Sequence, residues 1–183
     1  MNQARDGFDS HTEADISHVF IYYVNMDEKG LIMPSDPVGF FTTLVGITNR
    51  LYCHYISCGQ RNMDEGLKKT LRSLAEQERN HIRILDEMTK ELQADPSLCR
   101  EISGNHRFPE IELSGADRVE PVTAERIFSG PVEYVKTVCE LLLIGAEAVS
   151  DPDTGYLLRS LSEEEKKHIQ WMNDRRDLEN LGR

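Results

Sequence analysis

Apolar and polar positions along the chain fall into four long periodic segments separated by breakers. Ser35-Asp36-Pro37 combines a capping side chain with a first-turn proline, a helix start signal. No proline then recurs until Pro96. The stretch PVGFFTTLVGITNRLYCHYISC, residues 37–58, is apolar on most sides and predicts a buried helix. Gly59 and Asn62-Met63-Asp64 mark a turn. Residues 64–93, rich in Leu, Glu, Lys and Arg, predict a second helix, which Asp95-Pro96 stops. Residues 94–128 hold three prolines, two glycines and no sustained period. They predict a long connection, with a short helical turn near residues 123–128. Ser129-Gly130-Pro131 opens a third helix over residues 131–150. Asp151-Pro152-Asp153-Thr154 ends it and caps a fourth, which runs to about residue 181. Four long helices joined by a short, a long and a short connection outline an all-α four-helix bundle with one long crossover.

Residues 1–36 read as an N-terminal extension ahead of a bundle at residues 37–183. VFIYYV, residues 19–24, is β-branched and aromatic; the turn-like NMDEKG follows, then LIMP. Either a hairpin or a short helix fits this segment. The chain has 183 residues, enough for one domain with a sizeable core. Its net charge of −11 gives no electrostatic footprint for nucleic acid or an anionic membrane, so neither is expected as a partner. With no basic-then-apolar leader and no apolar run of spanning length, the expected location is cytoplasmic. The four cysteines, Cys53, Cys58, Cys99 and Cys139, form no CxxC pair and are expected to be free thiols.

One stretch is written twice. LRSLAEQERNHI begins at Leu71 and LRSLSEEEKKHI at Leu158; eight of twelve positions match at an offset of 87. On a helix, Leu71, Leu74, Glu78, His81 and Leu85 form one stripe, and Leu161, Glu165, His168 and Met172 another. In both, a glutamate and a histidine three residues apart replace leucine in the core-facing seam. A buried unpaired carboxylate is strongly disfavoured. Two Glu-x-x-His pairs facing each other are most simply satisfied by a metal ion; salt bridges to Arg or Lys are the alternative.

Glu78-x-x-His81 and Glu165-x-x-His168, with EEKKHIQWM on the fourth helix, resemble the ferritin-like di-iron carboxylate proteins, in particular the rubrerythrin and bacterioferritin branch. The resemblance implies a ferritin-like four-helix bundle and a metal site holding Glu78, His81, Glu165 and His168. It also implies one glutamate on each of the other two helices, a little over thirty residues before each Glu-x-x-His. On the third helix that points to Glu133, with Glu140 one heptad on as second choice. The cofactor implied is iron, one or two ions, with manganese or zinc as alternatives. The activity implied is peroxide reduction or Fe(II) oxidation, with a separate electron-donor protein and a homodimer as partners. A non-catalytic metal-binding or structural bundle is the competing reading.

The competing reading arises because the pattern is incomplete. Between Asp36 and Asp64 there is no Asp or Glu, and the residue 87 before Glu133 is Gly46. The first helix offers only Thr43, Asn49, Cys53 and His54. Of these, His54 is a candidate ligand, or else a packed or hydrogen-bonded histidine beside Tyr52 and Tyr55. Three outcomes follow: two ions with a substitute ligand, one ion, or none.

Overall fold

Each long helix starts at a side-chain cap. Asp36 Oδ1 accepts the Gly39 N–H at 2.6 Å and opens α1 (Pro37–Arg61). Asp64 accepts the Leu67 N–H and opens α2 (Glu65–Ala94); Asp95 closes it with its backbone N–H on the Glu91 carbonyl. Thr123 caps α3 (Ala124–Ala148). Asp151 Oδ2 accepts the Thr154 N–H at 2.7 Å and opens α4 (Pro152–Leu181). This is a computed structural model, and it describes residues 26–27, 30–61, 64–104, 106–109, 111, 113 and 123–181. Helix α1 packs along α2, α3 along α4, and α1 meets α3 across the bundle. The ferritin-like four-helix architecture is therefore as the sequence predicts. Among the described residues no helix is long and apolar enough to cross a membrane.

The third helix corrects the sequence reading. It does not open at Pro131 but seven residues earlier, and it carries Pro131 inside it. A proline there has no N–H for the carbonyl four residues back, that of Ile127. The gap is filled from α1: His54 Nε2 lies 3.1 Å from the Ile127 oxygen, inside the core. The cost of an interior proline is thus offset by a tertiary hydrogen bond, which local sequence rules cannot see.

The described end of the N-terminal segment carries two short paired strands. Strand β1 (Met26–Asp27) pairs antiparallel with β2 (Gly30–Ile32). The crossover adds a third strand, β3 (Arg107–Phe108), on the other side of β2. Gly30 has φ 110°, a conformation open to glycine at little cost. The segment VFIYYV lies outside the described residues. Leu31, Met33 and Phe108 are buried, and the Phe108 ring meets Tyr134 of α3 edge-on at 4.5 Å. The crossover is stitched down elsewhere too: Arg100 N–H donates to the Ala148 carbonyl, Ser150 N–H to Leu98, and Ile102 N–H to Ser35.

The core between α1 and α3 is dense and aromatic. Phe40, Phe41, Tyr55, Phe128 and Tyr134 are fully buried. At Gly145 a Cβ would stand 2.8 Å from the Phe41 ring, so this crossing depends on glycine.

Candidate metal centre

The polar core lies between α2 and α4. The buried stripes of these helices carry Glu78 with His81 and Glu165 with His168. All four side chains are buried. Glu165 is the hub. Its Oε1 accepts from His81 Nδ1 at 2.9 Å and its Oε2 from His168 Nδ1 at 3.0 Å. Glu78 lies beside it, with Oε1 3.2 Å from His168 Nδ1 and Oε2 3.9 Å from His81 Nδ1. Each Nδ1 carries one proton, and that proton is directed at Glu165. Among the described residues neither oxygen of Glu78 has a hydrogen-bond partner. The two imidazoles stack at a centroid distance of 5.7 Å and 16° between planes.

The outer nitrogens cross between helices. His81 Nε2 donates to Glu164 Oε2 on α4 at 3.0 Å, and His168 Nε2 to Gln77 Oε1 on α2 at 2.6 Å. Gln77 and Glu164 occupy matching places in the repeat, 87 apart, each just before the inward glutamate. The sequence reading passed over both. The signal was present: the repeat aligned them, and a ring nitrogen turned away from the centre needs an acceptor. With an acceptor at every ring nitrogen, both imidazoles are held as cations.

The electrostatics follow from that pairing. Burial alone would lower the His81 pKa; the hydrogen bond to Glu165 and the charges of Glu165 and Glu78 outweigh it and raise it to about 9. Burial likewise opposes His168, but the hydrogen bond to Glu165 and the Glu78 carboxylate 3.2 Å away raise it to about 10. For Glu165, burial pushes the pKa up while hydrogen bonds from both histidines bring it below the ordinary carboxylate range. For Glu78, burial and the neighbouring Glu165 charge win, and its pKa is raised. The pair therefore divides its roles: Glu165 is the carboxylate that stays ionised, and Glu78 is the one that shares a proton. Beyond them stand Tyr55 and Cys139. Burial, then the Glu78 and Glu165 charges, keeps the phenol protonated; burial, then Glu165, pushes the Cys139 thiol up to about 12.

The other sequence candidates do not join this cluster. Glu133 stands on the outside of α3, its side chain 62% exposed and 2.6 Å from Lys136 Nζ. Glu140 is exposed as well. All four carboxylates of α3, Glu125, Glu133, Glu140 and Glu147, follow an outward stripe at near-heptad spacing. His54 is spent on the Ile127 carbonyl, with Cys58 Sγ 3.7 Å from the same nitrogen. Burial lowers its pKa first, and the carbonyl only partly offsets this.

The hairpins show what lies level with the centre instead. Glu78 lies thirteen residues into α2, and thirteen residues back from the end of α1 is Thr48; the same count for His81 gives Val45. In the second hairpin, Glu165 is level with Val135 and His168 with Val132. All four of these residues are buried and none carries charge. The sequence predicted one complete and one incomplete half-site; the structure has two alike, each lacking a carboxylate from its first helix.

Among the described residues, the set that brings ligand atoms within 4.8 Å of one another is Glu78, His81 and Glu165. Two carboxylates and an imidazole suit a divalent cation such as iron or manganese. The orphaned oxygens of Glu78 are what a cation would complete.

A family model described as rubrerythrin matches residues 50–174. Among solved structures, the chain is similar to a ferritin-like diiron-carboxylate protein from Thermotoga maritima. The TM-score is 0.68 and the identity 17%, over 79% of this chain and 97% of that one. That likeness is one of fold. No curated protein matches the chain.

Proposed function

The chain belongs to the rubrerythrin family, and from that premise we propose that it is an iron-binding protein whose centre is Glu78, His81, Glu165 and His168. The observation that carries this reading is the Glu78 carboxylate: fully buried, beside a second carboxylate, and among the described residues without a hydrogen bond to either oxygen, the nearby His168 Nδ1 at 3.2 Å being directed at Glu165. A cation there removes a cost that the protein alone leaves standing. The ring nitrogens facing the carboxylates are both Nδ1, so a metal would replace protons there. Glu164 and Gln77 would go on accepting from Nε2 and hold the rings in place. Bound iron would supply one-electron redox chemistry, which makes Fe(II) oxidation or peroxide reduction the activity we propose.

Iron reconstitution tests this. The chelated protein is loaded anaerobically with Fe(II), bound iron per chain is measured, and absorbance is followed on adding oxygen or peroxide. We expect stoichiometric iron that Glu78→Ala abolishes, and oxidation faster than that of free Fe(II). Absence of stoichiometric iron would end the proposal. Tight iron with no reaction would leave binding without turnover.

A second reading has its own observation. All four ring nitrogens already have acceptors, so the cluster is an ion network that holds the bundle together without metal. This reading expects the melting temperature to be indifferent to chelation.

A further inference from the structure

We propose that the centre holds one divalent ion, not two, on the His81 side, with Glu164 as its positioning residue. This rests on the iron-binding reading above.

The stoichiometry follows from charge. Glu78 and Glu165 are the carboxylates buried at the centre. One divalent cation together with the His168 cation is balanced by these two and the Glu164 carboxylate beside His81. A second would leave two uncompensated positive charges in a core whose level positions on α1 and α3 are buried and uncharged, beside the protonated phenol of Tyr55, and a buried unpaired charge is far too costly to hold there. The positions level with the site on α1 and α3 add no carboxylate, and every carboxylate of α3 points outward.

The side follows from two asymmetries. First, among the described residues, Glu78, His81 and Glu165 are the set whose ligand atoms converge within 4.8 Å. His168 approaches Glu165 from the other oxygen, Oε2, while His81 takes Oε1, so the two nitrogens flank the carboxylate rather than share one point. Second, the repeat is broken where it matters for the outer contacts. Behind His81 stands the Glu164 carboxylate; behind His168, in the matching place, stands the neutral Gln77 amide. A carboxylate on the far nitrogen of an imidazole fixes the ring and strengthens it as a ligand more than an amide does. The Glu164 side chain is about half exposed.

The experiment is anaerobic titration of the chelated full-length protein with Fe(II) by calorimetry, with metal analysis after dialysis. Wild type should bind one iron per chain. His168→Ala should still bind one iron per chain, with a smaller loss of affinity than His81→Ala. His81→Ala should lose it. Glu164→Gln keeps an acceptor for the Nε2 proton and removes only the charge. It should weaken binding about tenfold at the same stoichiometry, the lower end of effects at such outer contacts, with the metal-free melting temperature unmoved. Should either histidine variant fail to fold, Glu164→Gln on the surface of α4 still decides the side. Two irons per chain would overturn the inference and leave the iron-binding reading intact, whereas no iron would sink both. Equal losses in the two histidine variants, or an indifferent Glu164→Gln, would overturn the assignment to His81.

Discussion

Helices α2 and α4 differ from α1 and α3 in one respect that decides the chemistry. At matched distances from the hairpin turns, α2 and α4 bury Glu and His, while α1 and α3 bury Thr48, Val45, Val135 and Val132. The first pair of helices is polar overall and held by a buried ion network. The second is apolar and held by aromatic packing. One bundle thus contains two kinds of core, side by side. A polar core depends on every partner being present; an apolar core depends on volume. The two should therefore fail differently.

The largest effect is expected from breaking the network at its hub. Glu165→Ala removes the acceptor shared by His81 Nδ1 and His168 Nδ1 and leaves two cations beside Glu78. Loss of one partner from a buried ion set costs about 3–5 kcal/mol, and chemical denaturation of the metal-free protein should read that loss. Replacing all four residues by Leu or Met should cost far less, because nothing charged is left behind. If the quadruple variant is the less stable of the two, the network contributes more than mutual compensation.

Acidity should reach the same pair of helices and leave the aromatic half untouched. Both histidines bind their protons more tightly folded than unfolded. Their stabilisation is complete below the unfolded value near 6.5 and is lost as pH rises through about 9 and about 10. Glu165 is shifted down, so its contribution holds above the unfolded value of about 4.5 and is lost on strong acidification. Glu78 is shifted up, so its ionisation weakens the fold as pH climbs past that same unfolded value. The two histidines and Glu165 together give a metal-free protein most stable between about pH 4.5 and 6.5; Glu78 moves the optimum to the acidic end of that window, and all but Glu165 weaken the fold on the alkaline side. Iron affinity should run the other way, since the ion displaces protons from the rings. Melting temperatures of the chelated protein from pH 4 to 10 test this; a flat or rising alkaline limb would contradict it.

In the apolar half, two glycines give the next contrast. Gly145→Ala places a methyl 2.8 Å from the Phe41 ring, and overpacking of this kind costs about 1–3 kcal/mol. At Gly46 a Cβ meets nothing within 4 Å. Gly46→Ala should stabilise by up to about 1 kcal/mol through helix propensity. Opposite shifts in melting temperature are the expected result, and two shifts of the same sign would mean that the crossing is looser than the distance implies.

How much of this was legible beforehand divides along the same line. The Glu-x-x-His pairs stood out because they broke an apolar stripe twice at one offset, and a polar residue in a seam is a strong signal. The bundle followed from breakers and caps that act locally. The start of α3 did not, because Pro131 is tolerated only through His54, 77 positions earlier in the chain. The role of His54 was hidden for the same reason. Gln77 and Glu164 were hidden because they sit at the edge of the stripe, where an outward charge looks like ordinary surface. Glu133 was misleading in the opposite sense. A separation of about thirty residues places a carboxylate at the right height along the bundle, but height does not fix direction. One residue turns a helix by about 100°, and that step separates buried Val132 from exposed Glu133.

The smallest effect is expected at that step. Glu133→Gln removes a charge whose partner is Lys136, one turn along the same surface. Exposed pairs at this spacing contribute a few tenths of a kcal/mol, so the melting temperature should hardly move. Neither iron stoichiometry nor the dissociation constant should change by more than about twofold, since the carboxylate does not face the centre. The comparison between helix pairs depends on this null effect: if Glu133→Gln costs iron, α3 is not a purely apolar wall, and a second ion regains its missing charge. Iron titration of this one variant therefore separates a centre built by α2 and α4 alone from one that borrows from its neighbour.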